Sequence, residues 1–230
     1  MKIIQKINPH ILKHLEAYRQ WVFQPRVQAS IQQRLQGVDS RLLKESEPGQ
    51  YCTIDHLMSI DHNAHIGFPE HWYGADLNYQ TMQSESAQYE ANFFNEVRQI
   101  NIDLDDHLQN LLGARFCGLK AFYPSQGYIP WHTNWNASNY VLIFTHSPSG
   151  NGYWRHIDPL NANSIVPDAG KMVHIPDPVG WHCKAAHFGN KMETDKLVWH
   201  CAHTSEPRIT VSYLFPERSL WEDVLEEIGN

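Results

Sequence analysis

The sequence predicts an α+β fold in which helices pack against a double-sheet β core. Three observations predict it. Up to Gly113, apolar residues recur at helical spacing. Beyond Gly113 the pattern changes to short β-like runs separated by Gly and Pro turn signals, the signature of a sandwich or barrel. A last amphipathic stretch closes the chain. A chain of 230 residues fits one domain. Within it, residues 1–113 form mainly helical support and loop, 114–216 the β core, and 217–230 a C-terminal helix.

At the start of the chain, Asn8 and Pro9 supply an N-cap and a first-turn proline. Ile11, Leu12, Leu15, Tyr18 and Val22 then mark one helical face. Val27, Ile31 and Leu35 mark a second helix that stops at Gly37. Residues 46–82, punctuated by Pro48, Gly49, Gly67, Pro69 and Gly74, read as a long irregular loop of the kind that binds or covers a site. Tyr89, Phe93, Val97 and Ile100 predict a further helix. Leu104, Leu108, Leu111 and Leu112 predict another, closed by Gly113. Strands are expected at 114–123, 139–146, 152–157, 171–175, 196–202 and 208–215. Ser219 and Glu222 form a capping box for a last helix, whose apolar face is Leu220, Trp221, Val224, Leu225 and Ile228.

Composition narrows the function. Hydrophobic residues at 42% and charged residues at 19% exclude a disordered or fibrous chain. A formal charge of -7 argues against a nucleic-acid partner. No run approaches the length needed to span a bilayer. The opening segment, interrupted by Lys and Asn, lacks the apolar region and cleavage site of a signal peptide. Cys52, Cys117, Cys183 and Cys201 include no CxxC pair, so reduced thiols and a cytoplasmic location are expected. Histidine is over-represented, with 15 residues, and it is the commonest metal ligand.

Walker A, dinucleotide-fingerprint, HExxH and GxSxG motifs are absent. Two segments carry the chemistry. In Tyr123-Pro-Ser-Gln-Gly-Tyr128-Ile-Pro-Trp131-His132-Thr-Asn134, extended chain would put His132 and Asn134 on one face. The second runs from Lys196 to Phe215 and contains His200 and His203. In its last strand Arg208, Thr210 and Ser212 share a face, and Ile209, Val211, Tyr213 and Phe215 share the other. An Arg-Thr-Ser face suits a dicarboxylate, because guanidinium grips carboxylate bidentately and a hydroxyl adds a donor.

This ordered set of His132, Asn134, His200, Arg208 and Thr210 resembles the iron(II)/2-oxoglutarate-dependent dioxygenases. The run from Tyr123 to Asn134 looks most like their prolyl-hydroxylase branch, over about residues 114–216. The resemblance implies a double-stranded β-helix (a cupin-like jelly roll) with Fe(II) in its mouth. It implies His132 and His200 as metal ligands. It also implies Arg208 and Thr210 on the far carboxylate of 2-oxoglutarate, Tyr123 lining the cosubstrate pocket and Tyr128 near it. The implied activity is hydroxylation of a C–H bond in an amino-acid, peptide or other small substrate, with 2-oxoglutarate decarboxylated to succinate. Asn134 departs from the family, which carries Asp or Glu there. It leaves four readings open: ligation through the amide oxygen or a water, a metal held by two histidines plus cosubstrate, room for a halide, or an inactive site. Asp158 is a remote candidate for the missing carboxylate, although an Asp before Pro more often forms a turn.

Other residues have plainer roles. His203 sits where the strand gives way to a turn, so His200 is the preferred ligand. His56, His62 and His65 read as surface or lid histidines. His182 and His187 fall on opposite faces of any strand, which precludes a joint metal site. Trp131 and Trp135 are either core anchors or pocket walls, and Arg155 is a strand-edge charge or a grip for an acidic substrate. The rivals to the oxygenase are a cupin-like metal enzyme that does not use 2-oxoglutarate and a non-catalytic jelly-roll binding protein.

Overall fold

The computed structural model describes residues 1–37, 48–62, 69, 72–78, 91–136, 139–157 and 166–229. A short strand β1 (Lys2–Ile4) precedes helix α1 (Pro9–Val22). The Asn8 side chain caps α1 by accepting from the His10 amide, and Ile11, Leu15, Tyr18, Trp21 and Val22 are its buried face. Helix α2 (Pro25–Gly37) follows, then a 3-10 turn (Pro48–Cys52) and a short helix α3 (Ile54–Ser59) capped by Thr53. The stretch expected to be irregular therefore holds helical turns and, further on, strand β2 (Ala75–Asp76). Losing the Asn8 cap leaves one amide of α1 unpaired. Asn8→Ala is expected to lower unfolding free energy in urea by about 1 kcal/mol.

The two helices predicted between Tyr89 and Gly113 are one, α4 (Ala91–Leu112). Tyr89 lies outside the described residues. No Gly or Pro interrupts the span, and the buried Asn101 at its middle donates its side-chain amide to the Val97 carbonyl instead of breaking the helix. At the C-terminus, α5 (Arg218–Ile228) begins one residue before the predicted cap. Glu217 occupies the cap position without a side-chain hydrogen bond, and Arg218 bonds Glu222, so the Ser219 capping box does not form.

Eight further strands lie beyond α4. They are β3 (Phe116–Tyr123), β4 (Tyr128–His132), β5 (Asn139–Ser147), β6 (Gly152–Ile157), β7 (Met172–Pro176), β8 (Gly180–Phe188), β9 (Trp199–Thr204) and β10 (Arg208–Phe215). They make two antiparallel sheets, one in the order β1-β8-β5-β10-β3-β2 and the other β4-β9-β6-β7. Strand alternation sorts their side chains into three layers. Leu142, Phe144, Cys183, Val211 and Tyr213 face outward from the larger sheet and share a core with α1, α2, α4 and α5. Ala121, Ile143, Ala186, Ile129 and Ala202 meet between the sheets. Tyr128, Trp131, Trp199 and Cys201 face outward from the smaller sheet against Cys52 and Leu57. Among the described residues, no helix is long and apolar enough to cross a membrane.

A bulge in β4 sets which of its side chains face the space between the sheets. Ile129 pairs with Ala202 and His132 with His200, so three steps along β4 match two along β9. The extra residue inverts the alternation, and Ile129 and His132 both face inward while Tyr128 and Trp131 both face outward. Pro130 lies inside this irregularity on an edge strand, where its missing N–H breaks no ladder bond.

Candidate functional site

A cavity of about 330 Å³ lies between the sheets. Its wall includes His132, Asn134, His200, Tyr123, Arg208 and Thr210. These groups divide between two ends. The strand from His200 to Thr204 runs away from the histidines and turns back into Arg208, which sets the two ends apart along β9.

At the first end, His132 and His200 are both buried and are cross-strand neighbours, with ring centroids 4.1 Å apart. His132 Nδ1 lies 2.8 Å from the Pro130 carbonyl and His200 Nδ1 lies 3.0 Å from the Val198 carbonyl. A carbonyl only accepts, so each neutral ring carries its proton on Nδ1 and its lone pair on Nε2. Metal-ligating histidines are held this way. The His200 ring is fixed further by stacking on Trp154 at 4.8 Å and on Phe188 at 4.5 Å. Asn134 is half-buried and lines the same end, but it does so from just beyond β4, not from the shared strand face that the HxN spacing suggested. Among the described residues no group of three or more His, Cys, Asp or Glu is arranged to hold a metal ion. Two imidazoles with one amide nearby are nevertheless a donor set that suits a divalent transition metal.

The second end is a buried anion cradle. Arg208 is 1% exposed, and its Cζ lies 5.6 Å from the Tyr123 ring centroid. Its Nη1 and the hydroxyl of Thr210 are both buried without a hydrogen-bond partner, although both residues line the cavity. Burial pushes the Tyr123 phenol up to about 12, so it stays protonated at neutral pH. Arg208 is the one fully charged side chain among the described residues that line the cavity, and none of those residues is a carboxylate. Buried donors that face a cavity whose lining holds no carboxylate are chemically suited to an anion.

Behind Arg208 lies a cluster that sequence reasoning missed. Arg208 Nε is 3.3 Å from Asp177 Oδ2, and Lys184 Nζ is 2.8 Å from Asp177 Oδ1; all three side chains are buried. Lys184 Nζ also lies 2.8 Å from His182 Nε2. His182 Nε2 is 3.3 Å from Asp177 Oδ1 as well, but the shorter contact makes it the acceptor of the ammonium proton. Burial lowers the His182 pKa and so favours that neutral form. Burial opposes ionisation of Asp177, yet the charges of Arg208 and Lys184 outweigh it and hold the carboxyl far below its usual range. Burial also pulls Lys184 down to about 8 against the attraction of Asp177. The signal available in the sequence was His182 alternating with Lys184, the reverse of the usual polar-out pattern. β8 was not among the expected strands, because its inward face mixes polar His182 and Lys184 with apolar Ala186 and Phe188.

Several expectations are corrected. Tyr128 does not line the cavity. It faces outward and stacks on Tyr51 at 5.2 Å. Of the two readings offered for Trp131, the core anchor holds, with its Nε1 donating to the Thr53 carbonyl, and Trp154 is the tryptophan that walls the cavity. Trp135 does not line the cavity either. Arg155 bonds the Cys52 carbonyl and His174 and lies over the Tyr153 ring, so it ties the outer face together. His203 lies inside β9, not at a turn. It packs on Tyr153, on the face opposite His200. His56 packs on Tyr51, and His62 contacts the Leu57 carbonyl and Trp199. His65 and Asp158 lie outside the described residues.

No family model matches the chain, and no curated protein matches it. Among solved structures, the crystal structure of a Pseudomonas putida prolyl-4-hydroxylase is similar over 70% of this chain and 99% of that chain, with 13% sequence identity and a TM-score of 0.27. So low a score makes this a loose likeness, and the chemistry has to be read from the cavity's own side chains.

Proposed function

We propose that the chain is an Fe(II)- and 2-oxoglutarate-dependent oxygenase that hydroxylates a C–H bond of an amino-acid, peptide or small-molecule substrate. One observation carries the reading. One cavity presents two Nδ1-anchored imidazoles at one end and a guanidinium–hydroxyl pair with unbonded donors at the other. A dicarboxylic keto acid is a ligand that meets both demands. The double-stranded β-helix belongs to the same reading. It is supported by the way β3, β4, β5 and β6 alternate between the two sheets, as β8, β9 and β10 do again.

His132 and His200 would hold Fe(II) through Nε2, with the amide oxygen of Asn134 as a neutral third donor. Fe(II) would supply Lewis acidity toward the keto-acid end of the cosubstrate and electrons for reducing dioxygen. Overall, the substrate C–H becomes C–OH while 2-oxoglutarate loses CO₂ to give succinate. The chain's own groups do the rest. Arg208 and Thr210 bind the far carboxylate and so fix which end of the cosubstrate faces the histidines. Tyr123 packs against the guanidinium and keeps a protonated hydroxyl at that end. Ile129, Val141, Ile143 and Phe188 exclude water, which strengthens each charge contact inside. The four free cysteines agree with a reducing, cytoplasmic setting.

Anaerobic Fe(II) and 2-oxoglutarate added to the purified chain are expected to give a visible charge-transfer band. Its absence from intact, iron-loaded protein would sink the chelate model. Arg208→Ala is expected to weaken 2-oxoglutarate binding by at least about tenfold, since a charge-assisted contact is lost, while iron is retained. A metal enzyme of the same fold that does not use 2-oxoglutarate would show no such dependence.

A further inference from the structure

We infer that Asp177 and Lys184 are positioning residues for the anion cradle, with Asp177 aiming the Arg208 guanidinium and Lys184 cancelling the carboxylate so that Arg208's charge stays available to ligand. This deepens the proposed function and rests on it.

Charge balance points to these roles. A buried carboxylate facing Arg208 on its own would neutralise it, and the cavity would then attract a second carboxylate weakly. Here Asp177 uses one oxygen toward Arg208 at 3.3 Å and the other toward Lys184 at 2.8 Å. With His182 neutral, the cluster holds two cations and one anion, all buried. The surplus positive charge meets the cavity through Arg208, which lines it, whereas Lys184 does not. The contact to Asp177 is an ion pair and not a hydrogen bond, so Arg208 Nη1 and Nε both remain buried donors without a hydrogen-bond partner. Burying a net charge is unfavourable unless a partner arrives, so the cluster is built for an incoming anion. The Arg-x-Thr motif gives no hint of this, because the two supporting residues come from β8 and from the turn before it.

The test is to titrate the Fe(II)-loaded, oxygen-free full chain with 2-oxoglutarate and read the heat. Lys184→Met leaves Asp177 to neutralise Arg208, so affinity is expected to fall by at least about tenfold. Adding Asp177→Asn to that variant restores the surplus charge and is expected to recover most of the loss. A merely structural lysine gives no such rescue. Unchanged affinity in Lys184→Met, or a double variant no better than the single, overturns the inference alone. If Lys184→Met does not fold, the double variant decides. Binding within about tenfold of the unmodified chain supports the inference, and weaker binding overturns it. If the unmodified chain itself fails to bind 2-oxoglutarate, the inference falls together with the proposed function.

Discussion

Replacing His200 by alanine is expected to abolish iron retention and 2-oxoglutarate-dependent succinate release while the protein remains folded. Partners that merely orient metal ligands cost about 10–100-fold in affinity or activity when lost, so removing a ligand is expected to exceed about a hundredfold. The ring stacks on both Trp154 and Phe188 and is anchored through Nδ1, which fixes it in one orientation. His203→Ala is the control on the same strand. Its side chain packs on Tyr153 on the outer face, and iron binding is expected to persist. Metal content by elemental analysis, together with a succinate assay on both variants, checks the pair. Iron bound normally by His200→Ala would remove His200 from the metal site.

Asp177→Ala is expected to cost the largest amount of stability, about 3–5 kcal/mol, because it strands two buried cations. The pH dependence has a definite sign. The Asp177 pKa lies far below its unfolded value of about 3.9. Its contribution is therefore fully present above about pH 4–5 and is lost as pH falls toward the folded value. Urea unfolding at pH 7 and pH 3 checks both statements. The alanine variant is expected to be weaker at pH 7 and to lose less than the parent on acidification. An equal loss in both would mean that Asp177 is not the group that titrates. This effect concerns folding alone and does not depend on any ligand.

Much of the site is legible in the sequence because β10 is a regular strand. Arg208, Thr210 and Ser212 alternate with Ile209, Val211 and Tyr213, and the alternation alone puts the first three on one face. The spacing from Asn134 picks out His132, but for an incomplete reason. Strict alternation from Ile129 would have turned His132 outward, and the bulge at Pro130–Trp131 is what turns it in. Similarly, the sequence favours His200 over His203 only if the strand ends between them, whereas the strand continues and the two rings face opposite ways. Tyr128 and Trp131 are tied to the pocket by nothing more than closeness to His132 in sequence. Proximity along a strand says nothing about which face a residue takes when a bulge intervenes.

The helices divide the same way. The N-cap at Asn8 and the apolar faces of α1 and α5 are local facts and can be read directly. The absence of a break between Ile100 and Leu104 cannot, because a buried Asn looks like a helix breaker until its partner, the Val97 carbonyl, is known.

By itself, then, the sequence determined the α+β class and the alternation of β10, and it singled out His132, His200 and Arg208 as candidates, since periodicity and residue chemistry are carried by neighbours along the chain. Only the tertiary structure decided that the two imidazoles share an end with Asn134, that β4 shifts its register, and that Asp177 and Lys184 stand behind Arg208. The reason is physical. A buried charge is stable only beside a partner, and register is fixed by the strand across the ladder. Both kinds of partner come from distant parts of the chain, where no local pattern records them.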